Sequence, residues 1–114
     1  MDSFSIYKYE SDKPFLILRL DISGKIMHWL IPKSTPIKKS VKRLAVEIPD
    51  GAGKKKEAGQ SLLVNKSEIK IKYLGKRKII FGLIRTKQEV NDFVLLVPSW
   101  GLRTERKLWV LIPV

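Results

Sequence analysis

The run Phe15-Leu16-Ile17-Leu18-Arg19-Leu20-Asp21, then Ile22-Ser23-Gly24-Lys25, then Ile26-Met27-His28-Trp29-Leu30-Ile31-Pro32, decides the fold class. Its first part is a short apolar stretch of strand length. Gly24 supplies the positive φ that a tight reversal needs. The second part returns the chain and is stopped by Pro32. Together they predict a β-hairpin with two arms of about six residues each.

The same grammar continues on both sides of Pro32. Lys33 to Val41 is polar, contains Pro36 and reads as a loop. Arg43-Leu44-Ala45-Val46-Glu47-Ile48 is the next strand, ended by Pro49-Asp50-Gly51. Ser61 to Val64 begins another. Glu68 to Tyr73 alternates, which places Ile69, Ile71 and Tyr73 on one face. Leu74-Gly75-Lys76 turns, and Arg77 to Arg85 is strand-like, with Gly82 as a bulge or bend. Phe93 to Val97 and Leu108 to Ile112 are the last apolar runs, each followed by proline; two strands of one sheet account for their likeness without an internal repeat. No segment sustains a helical period, although a short helical turn fits at Ile37 to Val41 or at Lys87 to Asn91. The expected fold is mainly β: a small closed or partly open antiparallel β-barrel of about seven or eight short strands, in a single domain over residues 1–114. Closure removes the exposed strand edges that so apolar a β protein would otherwise present.

Composition narrows the function. The chain has 114 residues, with 23 Lys and Arg against 11 Asp and Glu, hence a formal net charge of +12. Its 44% hydrophobic content separates it from charged disordered chains. No run approaches the ~18 apolar residues of a membrane-spanning helix, no basic amphipathic helix points to a membrane surface, and the first residues lack the pattern of a signal peptide. A cytoplasmic location with no membrane partner is the expectation. Cysteine is absent and His28 is the single histidine, so thiolate catalysis, Cys-based metal sites and multi-histidine metal sites are excluded. His28 itself reads as a packed or surface side chain on a strand.

The cations are grouped. Lys33, Lys38, Lys39, Lys42 and Arg43 form one cluster, Lys54-Lys55-Lys56 a second within a glycine-flanked loop, and Lys66, Lys70, Lys72, Lys76, Arg77 and Lys78 a third. Such clustering points to a polyanion, most simply nucleic acid. Among the aromatic residues, most are needed for the core; Trp100, in Pro98-Ser99-Trp100-Gly101, reads as a loop residue able to stack on a base.

Several blocks in order carry a resemblance. Leu18-Arg19-Leu20-Asp21, Ser23-Gly24, Trp29-Leu30-Ile31-Pro32-Lys33 and Lys42-Arg43-Leu44-Ala45-Val46-Glu47 look like the F-R-L-E, D-G, W-A-V-P-K-G and K-R-L-A-V-E blocks of the 3′-phosphoesterase domain of DNA ligase D, at nearly the same spacing. A weaker likeness follows between Ile69 and Thr86. The resemblance implies a small β-barrel with a crescent-shaped polar face. It also implies a manganese-dependent removal of a ribonucleoside or phosphate from the 3′ end of a primer strand, and DNA-repair partners such as a ligase or primase. The family's metal site uses histidines and an aspartate. In this sequence Tyr9 and Phe15 stand at the first two histidine positions, Ile17 at the aspartate, and Asp50-Gly51, with Gly51 replacing the histidine, at the later one. None of the aromatic or alkyl groups there is a manganese donor of the usual kind, so no cofactor is expected.

The basic part of the family's phosphate pocket is retained at Arg19, Lys33 and Arg43, with Lys42 beside them and Lys54, Lys55 and Lys56 as non-specific attraction. For Arg19 alone, a surface salt bridge with Glu47 or Asp21 is the plainer expectation. Three functions stand open at this point. One is a catalytically inactive 3′-phosphoesterase-like domain that binds nucleic acid in DNA repair. Another is a residual manganese enzyme with a rearranged site. The last is a structural or protein-interaction module with a basic surface.

Overall fold

The computed structural model describes residues 2–48, 61–84, 92–100 and 108–114. They contain the strands β1 (Ser3–Tyr9), β2 (Phe15–Ile22), β3 (Lys25–Pro32), β4 (Arg43–Ile48), β5 (Ser61–Leu74), β6 (Lys78–Leu83), β7 (Asp92–Leu96) and β8 (Leu108–Pro113). These close into a barrel in the order β1-β2-β3-β4-β8-β7-β6-β5, with every pairing antiparallel. The chain thus makes two four-stranded meanders, joined along the β1–β5 and β4–β8 seams. The expected small antiparallel β-barrel is what forms, and it is closed. No α-helix occurs among the described residues.

Alternation decides which side chains fill the interior. On β2, Leu16, Leu18, Leu20 and Ile22 point inward and are buried, while Phe15, Ile17, Arg19 and Asp21 point outward. The centre is aromatic. Trp29 and Trp109 meet edge to face with centroids 5.6 Å apart, and Phe93 stacks on Phe4 and Phe81 at 5.4 and 5.3 Å, with Phe4 and Phe81 tilted against each other at 5.8 Å. Ala45 lies directly across the ladder from Trp109 and makes room for the indole. Each such ring buries well over 100 Å² of apolar surface, and the set dominates the stability of so small a barrel.

The hairpin turn is Ser23-Gly24, with φ of 53° and 84°. Both central residues lie in the left-handed region, the geometry that matches strand twist in a two-residue hairpin. The Asp2 carboxylate accepts the Ser23 N–H at 2.9 Å, which holds serine in a conformation it otherwise avoids. At Gly24 nothing crowds the missing Cβ, so glycine is needed there for its φ alone.

The structure departs from the sequence pattern at five places. Ser3–Tyr9 is a strand that the sequence pattern did not single out, because serines and a lysine occupy positions whose backbone is held by ladders on both sides. Ser61–Val64 and Glu68–Tyr73 belong to one 14-residue strand, β5. Its register slips between Ile71 and Tyr73, so Ile71 still faces Phe81 inside the barrel but Tyr73 turns outward opposite Ile80. Gly82 is paired in register and is not a bulge; a Cβ there would come within 2.7 Å of Asp92 Oδ1, so glycine permits a close approach. Around Ile37 to Val41 the chain makes a tight turn, Val41 N–H to the Lys38 carbonyl at 3.2 Å, in place of a helical one. The alternative turn at Lys87 to Asn91 lies outside the described residues.

Candidate nucleic-acid interface

Residues 33–42 form a strap between β3 and β4 across one mouth of the barrel. Arg43, at the start of β4 opposite Leu111, anchors it. Its Nη1 donates to the Thr35 carbonyl at 2.9 Å, and its Nη2 donates to the Pro32 and Lys33 carbonyls at 3.0 and 2.9 Å. Partial burial lowers the guanidinium pKa from its ordinary value, but arginine remains a cation at neutral pH. At the far end the Ser40 N–H donates to the Pro113 carbonyl at 2.9 Å, and between the anchors Ile37 packs against the core. Lys33 and Ser40 adopt φ of 69° and 65°. Each costs on the order of 1–2 kcal/mol for a residue with a Cβ, so the anchoring bonds hold a path the chain would otherwise leave.

This strap is strongly cationic. Lys33, Lys38, Lys39 and Lys42 are all exposed along it. No acidic residue occurs between Asp21 and Glu47, and that acid-free interval is the sequence signal for it. The structure therefore brings Lys33, Lys42 and Arg43 into one element and adds Lys38 and Lys39. It gives Arg43 a task the sequence did not suggest, since its donors are engaged with main-chain carbonyls.

Arg19 stands apart. It points outward from the middle of β2, in register with Ser5 and His28. Lys33 follows His28 by five residues, roughly 16 Å along an extended strand. Glu47 faces the interior opposite Trp29, on the other side of the sheet from Arg19, and Arg19 makes no ion pair among the described residues. The expected pairing with Glu47 or Asp21 is not formed. Lys54, Lys55, Lys56 and the Asp50-Gly51 pair lie outside the described residues. Of the aromatic residues, Trp29, Trp109 and Phe93 are core, whereas Trp100 and Tyr73 are about half exposed.

Tyr9, Phe15 and Ile17 do come together. On the outer face of β1–β4, Tyr9, Ile17 and Ile48 are buried in a second, small apolar cluster against Tyr7, Phe15 and Leu30. The Tyr9 and Phe15 rings lie parallel with centroids 5.3 Å apart. Register explains the convergence: Tyr9 pairs with Phe15, and Tyr7, Ile17, Leu30 and Val46 form one row across four strands. Arg19 borders the cluster through His28, which pairs with Ile48. Phenol, phenyl and alkyl groups in contact do not fit a manganese ion, which takes imidazole and carboxylate donors. No protein-family model and no curated protein matches the chain.

Proposed function

We propose that this chain is a non-catalytic, nucleic-acid-binding β-barrel of the 3′-phosphoesterase type, acting at DNA ends or phosphates in a repair context. The observation that carries the reading is the strap: four exposed lysines on a backbone path fixed by Arg43 and by the Ser40–Pro113 bond. A fixed array of ammonium groups loses less freedom on meeting a phosphate backbone than the same groups on a loose loop. In this reading the lysines contact phosphates, Arg43 shapes the strap, and Arg19 adds a contact from the outer face of β2. Tyr9, Phe15 and Ile17, at three of the positions that would hold manganese in the resembled family, belong to an apolar cluster, which supports a binding role and not hydrolysis.

The test is a salt titration with a labelled single strand and with a duplex end. Five contacts give a slope of log affinity against log salt of roughly −3.5 for the single strand and −4.5 for the duplex. Replacing Lys33, Lys38, Lys39 and Lys42 by Gln leaves about one fifth of that slope. A flat salt dependence of the wild type, or a slope that survives the fourfold replacement, refutes the reading.

A further inference from the structure

The strap roofs a cleft of about 900 Å³. Its apolar walls come from Ile6 of β1, Leu16 of β2, Val64 of β5, Phe93 of β7 and Ile37 of the strap, and its rim carries Lys8, Lys38 and Lys39. Lys8 is 3.5 Å from Glu10, whereas Lys38 and Lys39 make no ion pair among the described residues. Val64 is 55% exposed, on the half of β5 that runs beside β1 and beyond the end of the β5–β6 ladder. An apolar path thus runs from solvent at Val64 into the cleft, and cations stand at its rim.

We infer that this cleft binds a single-chain anionic amphiphile, its acyl chain lying along Val64, Leu16 and Ile37 and its carboxylate or phosphate head between Lys38 and Lys39. The volume is in the range of small-molecule sites, and an apolar cavity with a few convergent charged groups is their usual composition. The charge sign excludes a cationic amphiphile and the apolar lining excludes a bare anion. The roof is formed in advance, because Arg43 and Ser40 tie the strap at both ends, so little ordering opposes binding. This site does not depend on the nucleic-acid reading, although both use the strap lysines.

The experiment is calorimetric titration of the full chain with laurate and with dodecyl phosphate, each below its micellar concentration, and with dodecyltrimethylammonium. Saturable one-to-one binding of the two anions and none of the cation is expected. The laurate and dodecyl phosphate arms tell which head group is preferred. Shortening the chain by two carbons weakens binding about tenfold, since each buried methylene contributes ~0.8 kcal/mol. Two variants probe the site. Lys38→Glu/Lys39→Glu reverses the rim, and Val64→Glu, at an exposed strand position, closes the apolar path; each weakens binding about tenfold or more. Lys70→Glu/Lys78→Glu makes the same change in net charge on the β5–β6 hairpin and changes affinity by less than about twofold. Equal losses in the two lysine pairs reveal general attraction to a basic protein and overturn the inference. Unsaturable binding, binding of the cation, or wild-type affinity in Val64→Glu overturns it as well.

Discussion

Arg43→Met removes the anchoring of the strap while keeping the bulk of the stem. Methionine keeps an unbranched apolar stem and removes every donor. The guanidinium makes three hydrogen bonds of 2.9–3.0 Å to the carbonyls of Thr35, Lys33 and Pro32. A hydrogen bond is worth about 1 kcal/mol net where the acceptor regains water on release, as these carbonyls do, so the three give about 3 kcal/mol. Release of the left-handed Lys33 returns up to ~1 kcal/mol, leaving a net loss of about 2 kcal/mol. For a chain of this length that lowers Tm by roughly 8 °C. Arg43→Lys, whose single ammonium reaches fewer of the carbonyls, loses about half as much. Burial lowers the Arg43 pKa, so between the folded and unfolded pKa the unfolded state binds more protons and stability rises with pH. That window is strongly alkaline, and the loss in Arg43→Met is flat across neutral pH. Thermal and urea unfolding followed by circular dichroism measure the effect, and amide exchange at Ser40 reports the far anchor. A change in Arg43→Met below about 0.5 kcal/mol, with the Ser40 amide still protected, refutes the anchoring argument.

Other perturbations follow from single contacts. Ile17→Asp puts a carboxylate into the outer apolar cluster and costs about 3 kcal/mol or more. Burial raises the folded carboxyl pKa above its unfolded value, so the loss is greatest at neutral pH and shrinks as pH falls through the folded pKa, which urea unfolding between pH 4 and 8 checks. Ser40→Gly relieves the positive φ and raises stability by up to ~1 kcal/mol, whereas Ser40→Val lowers it; comparison of the two melting temperatures is the test. Gly82→Ala drives the Asp92 carboxylate away from Lys72 Nζ, now 3.0 Å distant. That exposed pair is worth under ~1 kcal/mol, and a double-mutant cycle with Lys72→Ala shows the two losses failing to add.

The barrel was legible from its alternation and its turns. Leu16, Leu18, Leu20 and Ile22 on one arm and Trp29 and Ile31 on the other carry an inward pattern that needs no tertiary information. β1 was not, because Ser3, Ser5 and Lys8 dilute its apolar signal while its two neighbours supply the pairing. The outward turn of Tyr73 was also hidden. An alternating sequence fixes faces only while the register holds, and the slip after Ile71 depends on how β6 meets a bent β5.

The binding element was half legible, and the missing half is instructive. Charge clustering marks Lys33, Lys38, Lys39, Lys42 and Arg43 as a group. It does not distinguish a cation that faces water from one that holds the backbone. That distinction is a matter of acceptors: the carbonyls of Pro32, Lys33 and Thr35 point at Arg43 only once the strap has taken its left-handed turn at Lys33. A guanidinium with its fork of donors can gather three such acceptors, and a lysine ammonium matches that geometry poorly. The single arginine of the cluster therefore stands at its base and the lysines stand along its length. The same logic separates Arg19, which the sequence groups with Lys33 and Arg43. Parity puts Arg19 on the outer face of β2 while Arg43 sits at an inward position of β4. Two residues on opposite sides of a closed sheet do not share one phosphate. Contacts from Arg19 and from the strap lysines together require a polyanion long enough to pass from the strap onto the outer wall, which is why a strand of nucleic acid suits this arrangement better than a mononucleotide does.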